Sequence, residues 1–218
     1  MLASILRLSL FAAFFLPALV MANDRPITID DLLTLDSVGN PQVSPDGHWV
    51  AYTVSSRDFE EDKRRTQIWM VSTDGGEPIP MTSADNSASN PRWSPDNKYL
   101  SFSASRGEGA KNQVWNLNRL GGEAAQVTFV KQGISGFEWS PDGSRLLLVI
   151  QDPKPADLTE DKDDDKKPLP HVIDRMQFKR DYVGYLDRRR RHIYTYTPGE
   201  ENPRQVTFGD YDDSDPAW

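Results

Sequence analysis

The sequence comprises 218 residues with 25 basic and 33 acidic side chains, a net charge of −8 and no cysteine. This acidic balance argues against binding to nucleic acid or to anionic membranes, because both would repel the protein. Without cysteine there is no disulfide framework and no thiolate metal site, so an extensive hydrophobic core must stabilise the fold.

Residues 1–22 are predicted to form a secretory signal peptide. A single arginine, Arg7, precedes an apolar run from Leu8 to Val20, and the segment ends in a small residue, Ala22. A charged start, a short apolar stretch and a small-residue end are typical of a cleaved export signal. The alternative is a membrane anchor, for which the run is short. We expect an exported protein, periplasmic or secreted, that is not held in a membrane after cleavage.

Residues 23–37 are predicted to form an N-terminal segment with a short helix. Thr28 is suited to cap the start of this helix, and Asp31 follows three residues later. A hydroxyl and a carboxylate at this spacing are typical of a capping box, in which each side chain accepts a hydrogen bond from the other residue's backbone.

Three sequence marks then recur in the same order. The first is a Ser-Pro-Asp turn completed by Gly or Asn, with its serines at positions 44, 94 and 140. The second is a strand pattern, which reads QIWMVS from 67, QVWNLN from 113 and HIYTYT from 192. The third closes each unit, as GGEPIPMT from 75, GGEAAQVT from 121 and ENPRQVT from 201. Three marks repeated in register indicate a repeat architecture.

Each mark predicts one part of a four-stranded antiparallel unit. Proline presets the turn, and Gly or Asn can take the left-handed conformation that reverses the chain. Apolar side chains alternate after the turn, as at Val50, Tyr52 and Val54, which is the period of a strand. Units of this kind, with about 40–45 residues, are the blades of a β-propeller.

The predicted fold is therefore all-β: an incomplete β-propeller of about three four-stranded blades plus the first strand of a fourth, preceded by a signal-peptide helix. The blades are assigned to residues 38–83, 84–130 and 131–208, and the start of the fourth to 209–218. The tryptophans recur at equivalent places and are predicted to pack in buried layers between blades. They are Trp49, Trp69, Trp93, Trp115, Trp139 and Trp218. Since three blades cannot close a ring, we expect the front part of a longer protein.

The third blade carries an inserted loop and hairpin at residues 152–190, between its second and third strands. The loop is rich in proline and mixed charge, which is typical of a surface loop. Its run of aspartates at 163–165 lacks the ligand spacing of a calcium loop, so no metal site is predicted. The remainder regains strand character and is predicted to form a long hairpin that turns near Gly184.

An arginine run at the end of this insertion supplies the candidate peptide-contact residues. These are Arg188, Arg189, Arg190 and Arg191. Guanidinium groups suit a phosphate or an acidic peptide. The alternative is a charged, solvated edge that prevents sheet stacking, since Asp181 and Asp187 flank the run.

No catalytic, cofactor-binding or metal-binding residue is predicted in these 218 residues. There is no G-x-S-x-G elbow, no phosphate loop and no dinucleotide fingerprint. The histidines His48, His171 and His192 are dispersed, without metal spacing or an evident Asp or Ser partner. Each is therefore interpreted as a strand or loop residue.

Two stretches carry a resemblance to a known family. ITIDDLLTLDSVGNPQVSPDGHWVAYTV from 27, and the insertion PHVIDRMQFKRDYVGYLDRRRRHIYTY from 170, resemble the prolyl oligopeptidase family of serine peptidases. The acylaminoacyl-peptidase and dipeptidyl-peptidase branches are the most similar. A non-enzymatic, TolB-like periplasmic propeller that binds protein or peptide partners is the alternative, because such propellers share the Ser-Pro-Asp-Gly turn.

This resemblance implies a propeller of seven or eight blades followed by an α/β-hydrolase domain with a Ser-Asp-His triad. The propeller would admit short peptides to that domain and exclude folded proteins. The expected partners are thus short peptides and the protein's own C-terminal catalytic domain. The triad would lie beyond residue 218, so no catalytic residue is carried over to this chain.

Overall fold

The computed structural model describes residues 25–154, 173, 176–181 and 184–218. The predicted signal peptide and the aspartate run at 163–165 lie outside these residues. The chain divides into two units, Met1–Leu33 and Thr34–Trp218. In the part of the chain that is described, no helix has the length and apolar character needed to cross a membrane.

The short helix α1 (Ile29–Thr34) begins with the predicted capping box. The backbone N–H and the hydroxyl of Thr28 both donate to Asp31 Oδ2 at 2.8 Å, and the Asp31 N–H donates to Thr28 Oγ1 at 3.3 Å. Arg25 adds a two-pronged contact to the same carboxylate, at 2.6 and 2.5 Å. The Arg25 guanidinium and the Thr28 groups hold the pKa of Asp31 well below its usual range, so the cap is ionised at neutral pH.

Three four-stranded antiparallel sheets confirm the predicted all-β fold. The first contains β1 (Ser37–Val43), β2 (Trp49–Asp58), β3 (Lys63–Ser72) and β4 (Ile79–Pro80). The second contains β5 (Ala88–Trp93), β6 (Tyr99–Ala104), β7 (Gln113–Asn118) and β8 (Ala125–Gln126). The third starts with β9 (Gly136–Trp139) and β10 (Leu146–Gln151) and ends with β13 (Arg191–Tyr196) and β14 (Arg204–Gln205). Strands follow sequence order in every sheet, as in propeller blades.

The insertion lies where the sequence places it, between the second and third strands of the third sheet. β10 pairs directly with β13, from Leu146↔Tyr196 to Gln151↔Arg191. Between them, β11 (Lys179–Arg180) and β12 (Gly184–Tyr185) form a separate two-stranded ribbon. Each of these strands has two described residues, and the predicted long hairpin also includes residues outside the described ranges. A two-stranded ribbon has little core of its own, and here one ring contact, Phe178 with Tyr185, supports it.

The same hydrogen bonds close all three Ser-Pro-Asp turns. In the third turn, the Ser140 hydroxyl donates to Asp142 Oδ1 at 2.6 Å and accepts from the Arg145 N–H at 2.9 Å. The equivalent hydroxyl–carboxylate distances in the first and second turns are 2.6 and 2.5 Å. The residues that complete the turns have positive φ angles, as predicted. They are Gly47 (74°), Asn97 (60°) and Gly143 (70°).

Two tryptophans join neighbouring blades. Trp93 Nε1 donates to the carbonyl of Gln42 at 3.0 Å, and Trp139 Nε1 donates to Ser101 Oγ at 2.9 Å. Both side chains are buried, which confirms the predicted inter-blade packing at these positions. Trp218 is 45% exposed, and the Arg145 guanidinium lies 5.1 Å from the centre of the Trp218 ring. The prediction of a buried position is wrong for Trp218, because no described strand pairs with its segment.

A bulge in the innermost strands was missed at the sequence level. The pairing register shifts between Gly39 and Gln42 in β1 and between Ser89 and Arg92 in β5. At each shift an asparagine before a proline has a positive φ, 50° at position 40 and 52° at position 90. Asp215 also precedes a proline and has a φ of 49°. Residues 209–218 contain no strand, although Asp215 among them has the same positive φ before a proline. The first strand of a fourth blade stays a prediction.

Strand direction determines which loops share an end of the blades. The first strands of neighbouring sheets contact one another, β1 with β5 and β5 with β9, as expected of the innermost strands of propeller blades. Each first strand runs into a Ser-Pro-Asp turn, and the second strand returns to the opposite end. The insertion after β10 therefore lies at the end where the innermost strands begin, away from the Ser-Pro-Asp turns.

The turn aspartates have lowered pKa values. The Ser140 hydroxyl, followed by the backbone N–H of Ser144, lowers the pKa of Asp142 to about 2 from its ordinary value of 3.8. The matching serine hydroxyls lower the pKa of Asp46 and Asp96 in the same direction. A folded-state pKa below the unfolded one means that the unfolded chain binds more protons in this range, so acid destabilises the fold.

We expect the contribution of the turn aspartates to the free energy of unfolding to be fully present above about pH 4 and to fall as the pH decreases toward about 2. Asp142→Asn keeps an acceptor oxygen but cannot titrate, so its unfolding midpoint should depend less steeply on pH across this window. Urea unfolding followed by circular dichroism at several pH values measures the slope. Asn86→Ala, which replaces an exposed loop residue that does not titrate, is the control and should keep the wild-type slope. An unchanged slope in Asp142→Asn would contradict the assignment.

Candidate functional site

The arginine run lies at the base of the inserted hairpin, where it enters β13. The Asp152 N–H donates to the Arg190 carbonyl at 2.8 Å, and the Arg190 N–H donates to Asp152 Oδ2 at 2.9 Å. The Arg191 N–H donates to Asp212 Oδ1 at 2.9 Å. The backbone of the run is thus tied on one side to the end of β10 and on the other to the segment after β14.

Three arginines of the run form ion pairs through Nε. The pairs are Arg189–Asp187 at 2.6 Å, Arg190–Asp210 at 2.9 Å and Arg191–Asp212 at 3.6 Å. The Arg191 backbone N–H, with the charges of Arg191 and Arg190, lowers the pKa of Asp212. These ion pairs orient the guanidinium groups and agree with the alternative interpretation of the run as a charged edge. Because the pairs are made through Nε, the Nη atoms of each guanidinium can still bind other partners.

A cleft of about 460 Å³ lies between the hairpin and the third sheet. Its charged lining residues are Arg180, Arg189, Arg190, Arg191, Asp187 and Asp212. Arg188 is exposed and does not belong to this lining. The structure therefore brings together three of the four candidate residues and adds Arg180, which the sequence analysis missed because only the turn of the hairpin brings it to the run.

His192 has carboxylate partners that were not evident in the sequence. It is 4% exposed, with Nδ1 3.3 Å from Asp213 Oδ2 and Nε2 3.9 Å from Asp152 Oδ1. The Thr207 hydroxyl donates to the same Asp213 oxygen at 2.6 Å. The interpretation of His192 as a strand residue agrees with its place in β13.

The repeat explains what this cluster does. Gln113 occupies the His192 position in the second blade, and its Oε1 accepts from the Thr128 hydroxyl at 2.8 Å. Thr128 and Thr207 each accept a backbone N–H of the third strand at 2.9 Å. In the third blade the Asp213 carboxylate, held by His192, takes over the role of the glutamine oxygen. The cluster is a structural clamp between the third strand and the segment after the fourth. In the sequence, the alignment of HIY from 192 with QVW from 113 indicates that His192 and Gln113 occupy equivalent positions.

Two further cavities contain charged side chains. One of about 290 Å³ lies beside the innermost strands, where Arg92 Nε contacts Glu138 Oε2 at 2.7 Å and links β5 to β9. Another of about 600 Å³ lies between the second and third blades, at the end of the Ser-Pro-Asp turns. Its carboxylates at Asp96 and Asp142 are already engaged by the turn serines. The arginine-lined cleft is the better candidate for binding a charged ligand.

Within the described residues, no group of three or more His, Asp or Glu side chains could hold a metal ion. What the cleft offers is a set of hydrogen-bond donors with permanent positive charge. Such groups bind carboxylates and phosphates. The assignment of peptide contacts to the arginine run remains a prediction.

No protein-family model matches the chain. The uncharacterized peptidase YuxL of Bacillus subtilis is 39% identical over 80 residues, which are 37% of this chain and 12% of that protein. Dipeptidyl-peptidase 5 of Porphyromonas endodontalis is 33% identical over 76 residues, which are 35% of this chain and 11% of that protein. The homologues of this chain are peptidases. The chain matches about a tenth of the length of these curated relatives.

The fold agrees with this relationship. The acylaminoacyl peptidase of Pyrococcus horikoshii superposes with a TM-score of 0.60 at 22% identity, over 80% of this chain and 25% of that one. At this identity the match shows the fold, a region of β-propeller. The curated relatives are peptidases, so the resemblance to peptidases that the sequence indicates is confirmed.

Replacing His192 tests the structural role of the clamp. We expect His192→Ala to destabilise the chain by about 2 kcal/mol, because it removes a buried partner of Asp213. His192→Gln should cost less than half as much, since glutamine fills the same position in the second blade. Urea unfolding measures both, and His48→Ala, at an exposed position, should change little. Equal losses for the alanine and glutamine variants would contradict the repeat-based role.

Proposed function

We propose that this chain is the N-terminal propeller part of an exported serine peptidase and that it controls which peptides reach a catalytic domain. The observation that carries the proposal is the 39% identity to a peptidase, in a chain that folds into propeller blades. In this proposal residues 1–22 direct export, and the nucleophile, its base and the oxyanion site belong to an α/β-hydrolase domain outside these residues.

The blades supply a rigid wall for such a gate. The two indole N–H contacts fasten each blade to the one before it, so the sheets resist sliding past one another. A rigid ring with a narrow axis admits an extended peptide and excludes a folded domain by size alone. The substrates proposed are therefore short peptides.

The insertion end is the side on which we propose that peptides are contacted. The arginine-lined cleft lies at this end, and Arg191 borders both this cleft and the cavity beside the innermost strands that Arg92 and Glu138 line. A peptide that moves along the innermost strands would pass groups of both charge signs. Arg189, Arg190 and Arg191 are the proposed contact residues on the blade side.

Labelling with a fluorophosphonate tests the function, because this reagent reacts with activated serine nucleophiles. We expect the product of the whole reading frame to be labelled and to hydrolyse short peptides but not a folded protein of similar sequence. The 218-residue chain, tested beside it, should remain unlabelled.

The substrate-size control uses the same peptide sequence free and embedded in a stable domain. Absence of both labelling and peptide hydrolysis in the whole product would contradict the proposal. Capture of an envelope protein by such an unlabelled product would favour the non-enzymatic, TolB-like function instead.

A further inference from the structure

We infer that the cleft at the base of the inserted hairpin binds a carboxylate group of a peptide, either its C-terminal carboxylate or an Asp or Glu side chain. The inference rests on the proposed function in taking the ligand to be a peptide. It adds to that function the chemical group recognised, the residues that recognise it, and Arg180 as a member of the site.

The charge of the cleft is opposite to that of the chain. The whole sequence carries a net charge of −8, whereas four arginines and two aspartates line this cleft. An anion is therefore attracted locally but repelled by the rest of the surface. A small, single carboxylate fits this pattern, and an extended polyanion such as nucleic acid does not.

The donors that a carboxylate needs are present. Among the described residues, the ion pairs of Arg189, Arg190 and Arg191 are made through Nε. Across residues 25–154, 173, 176–181 and 184–218, no Nη atom of these three side chains donates a hydrogen bond. Arg180 is exposed on the hairpin and has no ion pair within the same ranges. The paired N–H groups of a guanidinium match the two oxygens of a carboxylate, so these free ends form a fitting receptor.

The site is organised before a ligand arrives. Backbone bonds to Asp152 and Asp212 fix the run, and the side chains of Arg189 and Arg190 are only 21% and 26% exposed. Partial burial removes competing water and strengthens a charge-assisted hydrogen bond. Gln151 and Gln177 also line the cleft and offer amide groups to a peptide backbone. The volume, about 460 Å³, is within the range of small-ligand sites.

Calorimetric titration of the 218-residue chain with three capped peptides tests the inference. The peptides are acetyl-Ala-Ala-Glu-Ala-amide, acetyl-Ala-Ala-Gln-Ala-amide, and acetyl-Ala-Ala-Ala-Ala with a free C-terminal carboxylate. We expect at least one of the two carboxylate peptides to bind about tenfold more tightly than the glutamine peptide, because charge-assisted bonds to arginine are lost in the latter. Whichever of these two peptides binds more tightly shows whether the cleft prefers a glutamate side chain or a C-terminal carboxylate. Equal binding of all three, or of none, would overturn the inference.

Variants at Arg180 then test the site. Arg180→Gln should weaken the preferred peptide about tenfold, and Arg180→Lys should also weaken it, because lysine keeps the charge but lacks the planar fork. Arg64→Gln, at an exposed position of β3 outside the cleft, is the matched control and should bind as the wild type does. Thermal unfolding checks that each variant is folded. Equal effects at Arg64 and Arg180, or no effect at Arg180, would overturn the assignment.

The outcome is separable from that of the proposed function. If the whole product hydrolyses peptides while the titrations show no carboxylate preference, only the present inference fails. If the titrations show the preference and the arginine dependence while the whole product has no peptidase activity, only the proposed function fails.

Discussion

The indole N–H of the tryptophan that ends the innermost strand of the second and of the third blade is the contact on which the arrangement of blades depends. Trp93 donates to the first blade and Trp139 to the second, over 3.0 and 2.9 Å. A large apolar ring with one polar end suits this place, because the ring fills the gap between sheets while the N–H finds a partner in the next sheet. The contact fixes the spacing of the sheets, and the clefts between and beside them follow from that spacing.

The sequence was sufficient for the blades because their signals are local. Turn residues such as Pro141 and Gly143 impose backbone angles, and alternation along the next strand selects the buried face. The cleft was only partly predictable. Arg180 meets the arginine run only through the hairpin. The carboxylate partners of His192 are Asp152, on the far side of the insertion, and Asp213, after the next strand. Contacts between segments without a fixed spacing leave no periodic pattern to detect.

The third blade accommodates an insertion without losing the strand pairing of the repeat. β10 and β13 keep their pairing across residues 152–190, and the His192–Asp213 pair replaces the glutamine of the second blade. The insertion then adds charge at the end where the innermost strands begin. The proposed gate needs both a rigid wall and a charged cleft, and the described residues contain blades for the first and the arginine-lined cleft for the second.

The most direct test of the account is a double-mutant cycle between Trp139 and Ser101, the two residues that join the second and third blades. We expect Trp139→Phe and Ser101→Ala to be coupled by about 1 kcal/mol in the free energy of unfolding, measured by urea titration. The same cycle between Trp218, which lies exposed, and Ser101 should give no coupling. Additive effects at Trp139 and Ser101 would contradict the claim that indole contacts set the spacing of the blades.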